Sequence, residues 1–121
     1  MDEPTREKVR EWLIMAEEDR VSALSLLKNE PSVGFSICFH AQQFVEKALK
    51  AYLTSKQQHI EKTHDLLRIV KQCAALDPEF ASFETIADEL SIYATATRYP
   101  DDYRPVSHDE FRLRLKRLNK S

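Results

Sequence analysis

An all-α fold is predicted for this chain: an up-and-down antiparallel bundle of four main helices plus a short C-terminal one. Three observations predict it. Glycine is nearly absent, with Gly34 the single one in 121 residues, whereas a sheet protein of this size spends glycine on tight turns. Leu, Ala, Lys, Glu and Arg dominate, and all favour helix. Apolar residues recur at three- and four-residue spacing between proline-marked breaks. The length suits one domain with one core, so residues 1–121 are read as a single domain.

The first segment is predicted to run from about Thr5 to Asn29. Thr5 is the expected N-cap, with Glu7 and Glu11 near the positive end of the helix. Val9, Trp12, Leu13, Ala16, Ala23, Leu24 and Leu27 form its apolar stripe, which Arg20 interrupts. Asn29-Glu30-Pro31 ends it. The second segment is predicted over about Ser32 to Gln57. Its apolar face holds Phe35, Cys38, Ala41, Val45, Ala48, Leu49, Tyr52 and Leu53. A second stripe holds Phe39, Gln43, Glu46 and Lys50.

The third segment is predicted over Thr63 to Leu76, with Thr63 as N-cap and Asp65 in the first turn. Leu66, Leu67, Ile69, Val70 and Cys73 face inward, and Asp77-Pro78 stops it. The fourth is predicted from Phe80 or Phe83 to Thr97, with Phe83, Ile86, Ala87, Leu90 and Ala94 at core spacing. The proline-bounded loop Arg98 to Pro105 follows. Ser107 and Glu110 form a capping box for the last helix, whose apolar edge is Phe111, Leu115 and Leu118.

Charge narrows the function classes. The net charge is −2, so no overall basic field points to nucleic acid. The last helix is locally basic, with Arg112, Arg114, Lys116, Arg117 and Lys120 against Asp109 and Glu110. It suits phosphate contact, and equally a solvated helix end where the macrodipole favours cations. Cys38 and Cys73 have no paired spacing and read as reduced core thiols. No metal-binding or cofactor motif occurs, and neither a phosphate loop nor a nucleophile elbow is present. No apolar run reaches membrane-spanning length. The charged start MDEPTREK lacks the apolar core of a signal peptide, so a cytoplasmic location is expected.

Three constellations could carry chemistry. Gln43, Glu46 and Lys50 are three and four apart, hence on one helix face. Amide, carboxylate and ammonium together can hold a base, a ribose or a phosphate; an ordinary i,i+4 ion pair gives the same spacing. In Thr63-His64-Asp65-Leu66, capping explains Thr63 and Asp65 but not His64, because a protonated histidine is disfavoured at a helix N-terminus. In the third, Arg98 offers a planar fork for phosphate and Tyr99 a stacking face for a base. Arg98 capping the preceding helix and Tyr99 packing on the core remain the plain alternatives.

Taken together, the FHAQQFVEKALKAYL helix, the THDL helix start and the RYP segment resemble the HEPN family (higher eukaryotes and prokaryotes nucleotide-binding). Ala16-Glu17-Glu18-Asp19 adds to the likeness, since such proteins often carry an acid at the Asp19 position. The resemblance spans about Val9 to Tyr103. It implies a helical bundle that usually forms a homodimer, with a cleft for nucleotide or RNA. It also implies a minimal nucleotidyltransferase as a neighbour-encoded partner, often in a toxin–antitoxin pair. Carried over by position, the implied ligand-binding residues are Asp19, Gln43, Glu46, Lys50, His64, Arg98 and Tyr99. One departure matters. HEPN ribonucleases carry Arg, four to six residues, then His, whereas Arg98 here is followed by Tyr99-Pro100-Asp101-Asp102-Tyr103-Arg104, and His108 lies beyond two prolines. The expectation is therefore a non-catalytic binding partner. A ribonuclease with a relocated histidine and a purely structural interaction module are the alternatives.

Overall fold

The computed structural model describes residues 1–94, and among them the regular structure is entirely helical. Helix α1 spans Glu3–Asn29, α2 Gly34–Ser55, α3 Leu66–Leu76 and α4 Glu84–Ser91. Short 3₁₀ helices at Pro78–Phe83 and Ile92–Ala94 precede and follow α4. The predicted all-α bundle is thus observed. The predicted end of the fourth helix, the Arg98–Pro105 loop and the fifth helix lie outside the described residues.

Helix boundaries differ from the sequence expectation wherever a better cap lay next to the expected one. Asp2, not Thr5, caps α1, and its carboxylate accepts from the Thr5 N–H at 2.7 Å. That hydrogen bond holds the Asp2 carboxyl below the usual carboxylate range. Asp65 caps α3, accepting from the N–H groups of Leu67 at 3.1 Å and Arg68 at 3.4 Å. A carboxylate satisfies two orphan donors at once and outcompetes the Thr63 hydroxyl. Thr63 instead accepts from the Asp65 N–H in a local turn. His64 therefore precedes the helix rather than sitting in its first turn.

The α-helical part of the fourth segment is shorter than predicted because 3₁₀ turns flank it, Pro78–Phe83 before and Ile92–Ala94 after. In that geometry i and i+3 eclipse, which puts Phe80 and Phe83 on one side. Their ring centroids are 6.2 Å apart, and Phe80 packs on Tyr52 of α2 at 4.6 Å.

The core lies between α2, α3 and α4. Ile37, Cys38, Ala41, Leu49 and Leu53 of α2 meet Leu66, Ile69, Val70 and Cys73 of α3. Ile86, Ala87, Leu90 and Tyr93 close it. Val45 and Tyr52 are only partly buried at its edge. Helix α1 packs along α2 on the other side, roughly 40 Å of helix at 1.5 Å per residue. Its inward stripe is not the one expected. Asp19, beside Ala16 and Ala23, is the buried polar residue, whereas Arg20 points outward and pairs with Glu17 at 2.6 and 2.8 Å. Leu13, placed in the stripe from its spacing, is 51% exposed.

Both cysteines are free and buried. Burial pushes the Cys73 thiol up to about 11, so it stays protonated at neutral pH and carries little nucleophilic thiolate. Labelling the native protein at pH 8 with an aromatic disulfide reagent should therefore leave Cys73 unreacted for hours. In denaturant it should react within minutes; fast native labelling would contradict this packing.

Candidate functional site

On α2, Gln42, Glu46 and Lys50 stand four apart and are all buried. Such polar side chains go into a protein interior only when their hydrogen bonds are met there. Here they meet one another and the chain leading into α3. Gln42 Nε2 donates to Glu46 Oε1 at 3.1 Å, and Lys50 Nζ donates to Glu46 Oε2 at 3.0 Å. The same two donors reach across to the backbone. Gln42 Nε2 donates to the His64 carbonyl at 3.2 Å, and Lys50 Nζ to the Thr63 carbonyl at 3.1 Å. No buried side-chain nitrogen or oxygen among the described residues is left without a partner.

His64 completes the cluster. Its Nδ1 lies 2.9 Å from Glu46 Oε1 and 3.2 Å from Oε2, while its side chain is 58% exposed. A carboxylate only accepts, so Nδ1 carries the hydrogen in this contact. In the neutral ring Nε2 is then an acceptor. One buried carboxylate thus fixes both the tautomer and the orientation of a solvent-facing imidazole.

A second polar cluster fastens α1 to α2. Asp19 Oδ1 lies 2.9 Å from His40 Nδ1, and Asp19 Oδ2 accepts from Lys47 Nζ at 2.5 Å. A third tie runs from Lys50 Nζ to the Trp12 ring of α1, 5.7 Å from its centroid. Lys50 therefore faces a carboxylate, a carbonyl and an indole together.

The residues expected at a site fall into three groups. Glu46, Lys50 and His64 come together as one network. Gln43 is half-buried beside it and donates to Gln42 Oε1 at 2.6 Å. Asp19 belongs to the separate α1–α2 cluster. Arg98 and Tyr99 lie outside the described residues. Gln42, His40 and Lys47 were not singled out from the sequence. For Gln42 the signal was present: it stands four before Glu46, as Lys50 stands four after. Among the described residues no group of three or more His, Cys, Asp or Glu side chains could hold a metal ion. None of the described helices is long and apolar enough to cross a membrane.

Comparison with protein families decides the wider relationship. The HEPN domain model matches residues 9–119, most of the chain. The chain belongs to the HEPN family. No curated protein and no solved structure matches it. Family membership supports a function of the nucleotide-binding or ribonuclease type.

The Glu46–Lys50 pair is the part of this HEPN site most open to measurement. A buried ion pair that loses one partner leaves an unpaired charge, at a cost of about 3–5 kcal/mol. Lys50→Met should lower stability by roughly 3 kcal/mol in urea unfolding. The double variant Glu46→Gln, Lys50→Met should recover part of that loss, because the orphaned charge is gone. Strictly additive losses would show that the two side chains are not coupled.

Proposed function

We propose that this HEPN protein binds a nucleotide, and that it is the non-catalytic partner of a minimal nucleotidyltransferase in a two-gene, toxin–antitoxin-like system. The observation that carries the reading is the exposed His64 imidazole, held from behind by buried Glu46. Its free Nε2 accepts from a donor on a base edge. Arg98 and Tyr99 supply the guanidinium fork and the stacking ring that such a ligand also needs. Glu46, Lys50 and Gln43 act from behind as supports for the His64 segment, and Asp19 keeps α1 in register. The protein works in the cytoplasm as a homodimer. Leu13, Ile14 and Val21 stand exposed on α1 and supply apolar surface that a second copy would bury.

Calorimetric titration with nucleoside mono- and triphosphates tests the binding. Heat is expected with the intact protein, and His64→Ala should weaken affinity about tenfold, the worth of one hydrogen bond. No heat with any nucleotide, from correctly folded protein, would remove the proposal. Light scattering tests the assembly: the chain alone should run at twice its 14.1 kDa and shift upward with the neighbour-encoded nucleotidyltransferase. A 14 kDa species at micromolar concentration, unchanged by that enzyme, would count against both partners.

One observation favours a second reading, a ribonuclease with a relocated histidine. A carboxylate-held imidazole is the arrangement that moves protons in many hydrolytic sites. His64 would take the proton of a ribose 2′-hydroxyl while Arg98 holds the phosphate. Expression without the neighbouring gene should then degrade cellular RNA, and His64→Ala should abolish it. Intact RNA and normal growth would leave the binding function alone standing.

A further inference from the structure

The first turns of α1, the last turn of α2 and the segment that follows it line an open groove of about 430 Å³. That volume is in the range of small-molecule sites. Its working surface is Lys8, Trp12, Thr54, Gln57, Gln58 and Ile60. Trp12 is the chain's single tryptophan and is half-buried. Large aromatic side chains are usually spent on the core, and here one lines a groove instead.

Gln57 is the second anomaly. It is the one non-glycine residue with positive φ, at 56°, among the described residues. The local reason is a Schellman motif that closes α2. The Gln57 N–H donates to the Thr54 carbonyl at 2.9 Å, and the Gln58 N–H to the Leu53 carbonyl at 3.0 Å. That motif places its C′ residue in the left-handed region, where glycine is favoured because it has no Cβ. Glutamine is a poor choice for stability. Its carboxamide also makes no hydrogen bond to any described residue, although it lines the groove. Gln57 is exposed, so its carboxamide is open to a ligand that enters the groove.

We propose that this groove holds a nucleobase, stacked on the Trp12 indole and hydrogen-bonded along its edge by the Gln57 carboxamide. A carboxamide offers a donor and an acceptor side by side, which matches the paired groups on a base edge. The indole supplies the stacking face; at the rim Lys8 pairs with Glu11 at 3.4 Å and Asp2 adds a carboxylate, so the groove suits the base rather than its phosphate. The inference rests on the nucleotide-binding reading and gives the base a place distinct from His64. Lys50 joins the two, since its ammonium contacts both Trp12 and Glu46. The base belongs either to a mononucleotide or to a single strand of RNA.

Because Trp12 is the only tryptophan, its fluorescence reports on the groove alone. The protein is titrated with adenosine and cytidine monophosphates and, separately, with a short single-stranded RNA. Saturable quenching by either class is expected. Quenching by RNA only assigns the base to a strand, and quenching by the monophosphates assigns it to a free nucleotide. Gln57→Gly gives the sharper test. Relief of the left-handed backbone should raise the melting temperature by roughly 2–5 °C. Loss of the carboxamide should weaken binding about tenfold. A merely structural Gln57 would give the first change without the second, which would overturn the proposal. So would an unquenched Trp12 in protein that binds nucleotide calorimetrically and loses that binding in His64→Ala. That result would leave the function proposed above intact, whereas absence of binding by both methods would end both.

Discussion

The Glu46 carboxylate sits in the middle of α2, shielded from water, and accepts from three side chains that come from two directions. A lone carboxylate there would be several kcal/mol out of place. Lys50 neutralises it, Gln42 takes one of its remaining lone pairs, and His64 comes in from outside. Lys50 and Gln42 each have a donor left over after serving Glu46. Those donors take the Thr63 and His64 carbonyls, the last groups before the Asp65 cap. The start of α3 is therefore pinned to the middle of α2 by backbone contacts that no apolar packing could direct. Leu66, Ile69, Val70 and Cys73 then enter the core at a fixed register.

A similar logic sets α1 against α2. Only Ala16 and Ala23 are fully buried apolar residues of α1, and methyl groups specify register poorly. Asp19 does so better, because it must meet Lys47 and His40 to be buried at all. Sliding α1 by one turn would strand the carboxylate. Trp12 on Lys50 repeats the constraint nearer the other end of the helix. Polar contacts here choose among packings that apolar contacts alone would leave close in energy.

This division explains what the sequence revealed. The helices and the α2–α3–α4 core were legible because burial of Leu, Ile and Val follows a 3.6-residue period. Cap positions were less legible, since Asp2 and Thr5, or Thr63 and Asp65, are each competent and only geometry picks one. Arg20 drew notice as a charge in an apolar stripe, yet the inward residue is its neighbour Asp19. One position is 100° of rotation on a helix, and a long arginine can swing outward while a short aspartate cannot. Gln42 and Gln43 posed the same problem on α2. Spacing of three and four admitted Gln43, and the approach of residues 63–64 settled on Gln42. For His64, an N-terminal imidazole without a dipole rationale was the legible part. Its partner, eighteen residues back on another element, was not.

Lys50 carries the argument from packing to chemistry. An ammonium has three hydrogens; here Glu46 and the Thr63 carbonyl each accept one, and the Trp12 ring lies 5.7 Å from the nitrogen. The side chain is buried, away from any phosphate in solution. A residue carried over by position as ligand-binding is thus an internal joint. It pairs with Glu46 behind His64 on one side and meets the Trp12 indole on the other. The HEPN fold in this chain therefore sets one buried cation between the Trp12 ring and the carboxylate that orients the His64 imidazole, and the same residue that closes the interior backs both groups.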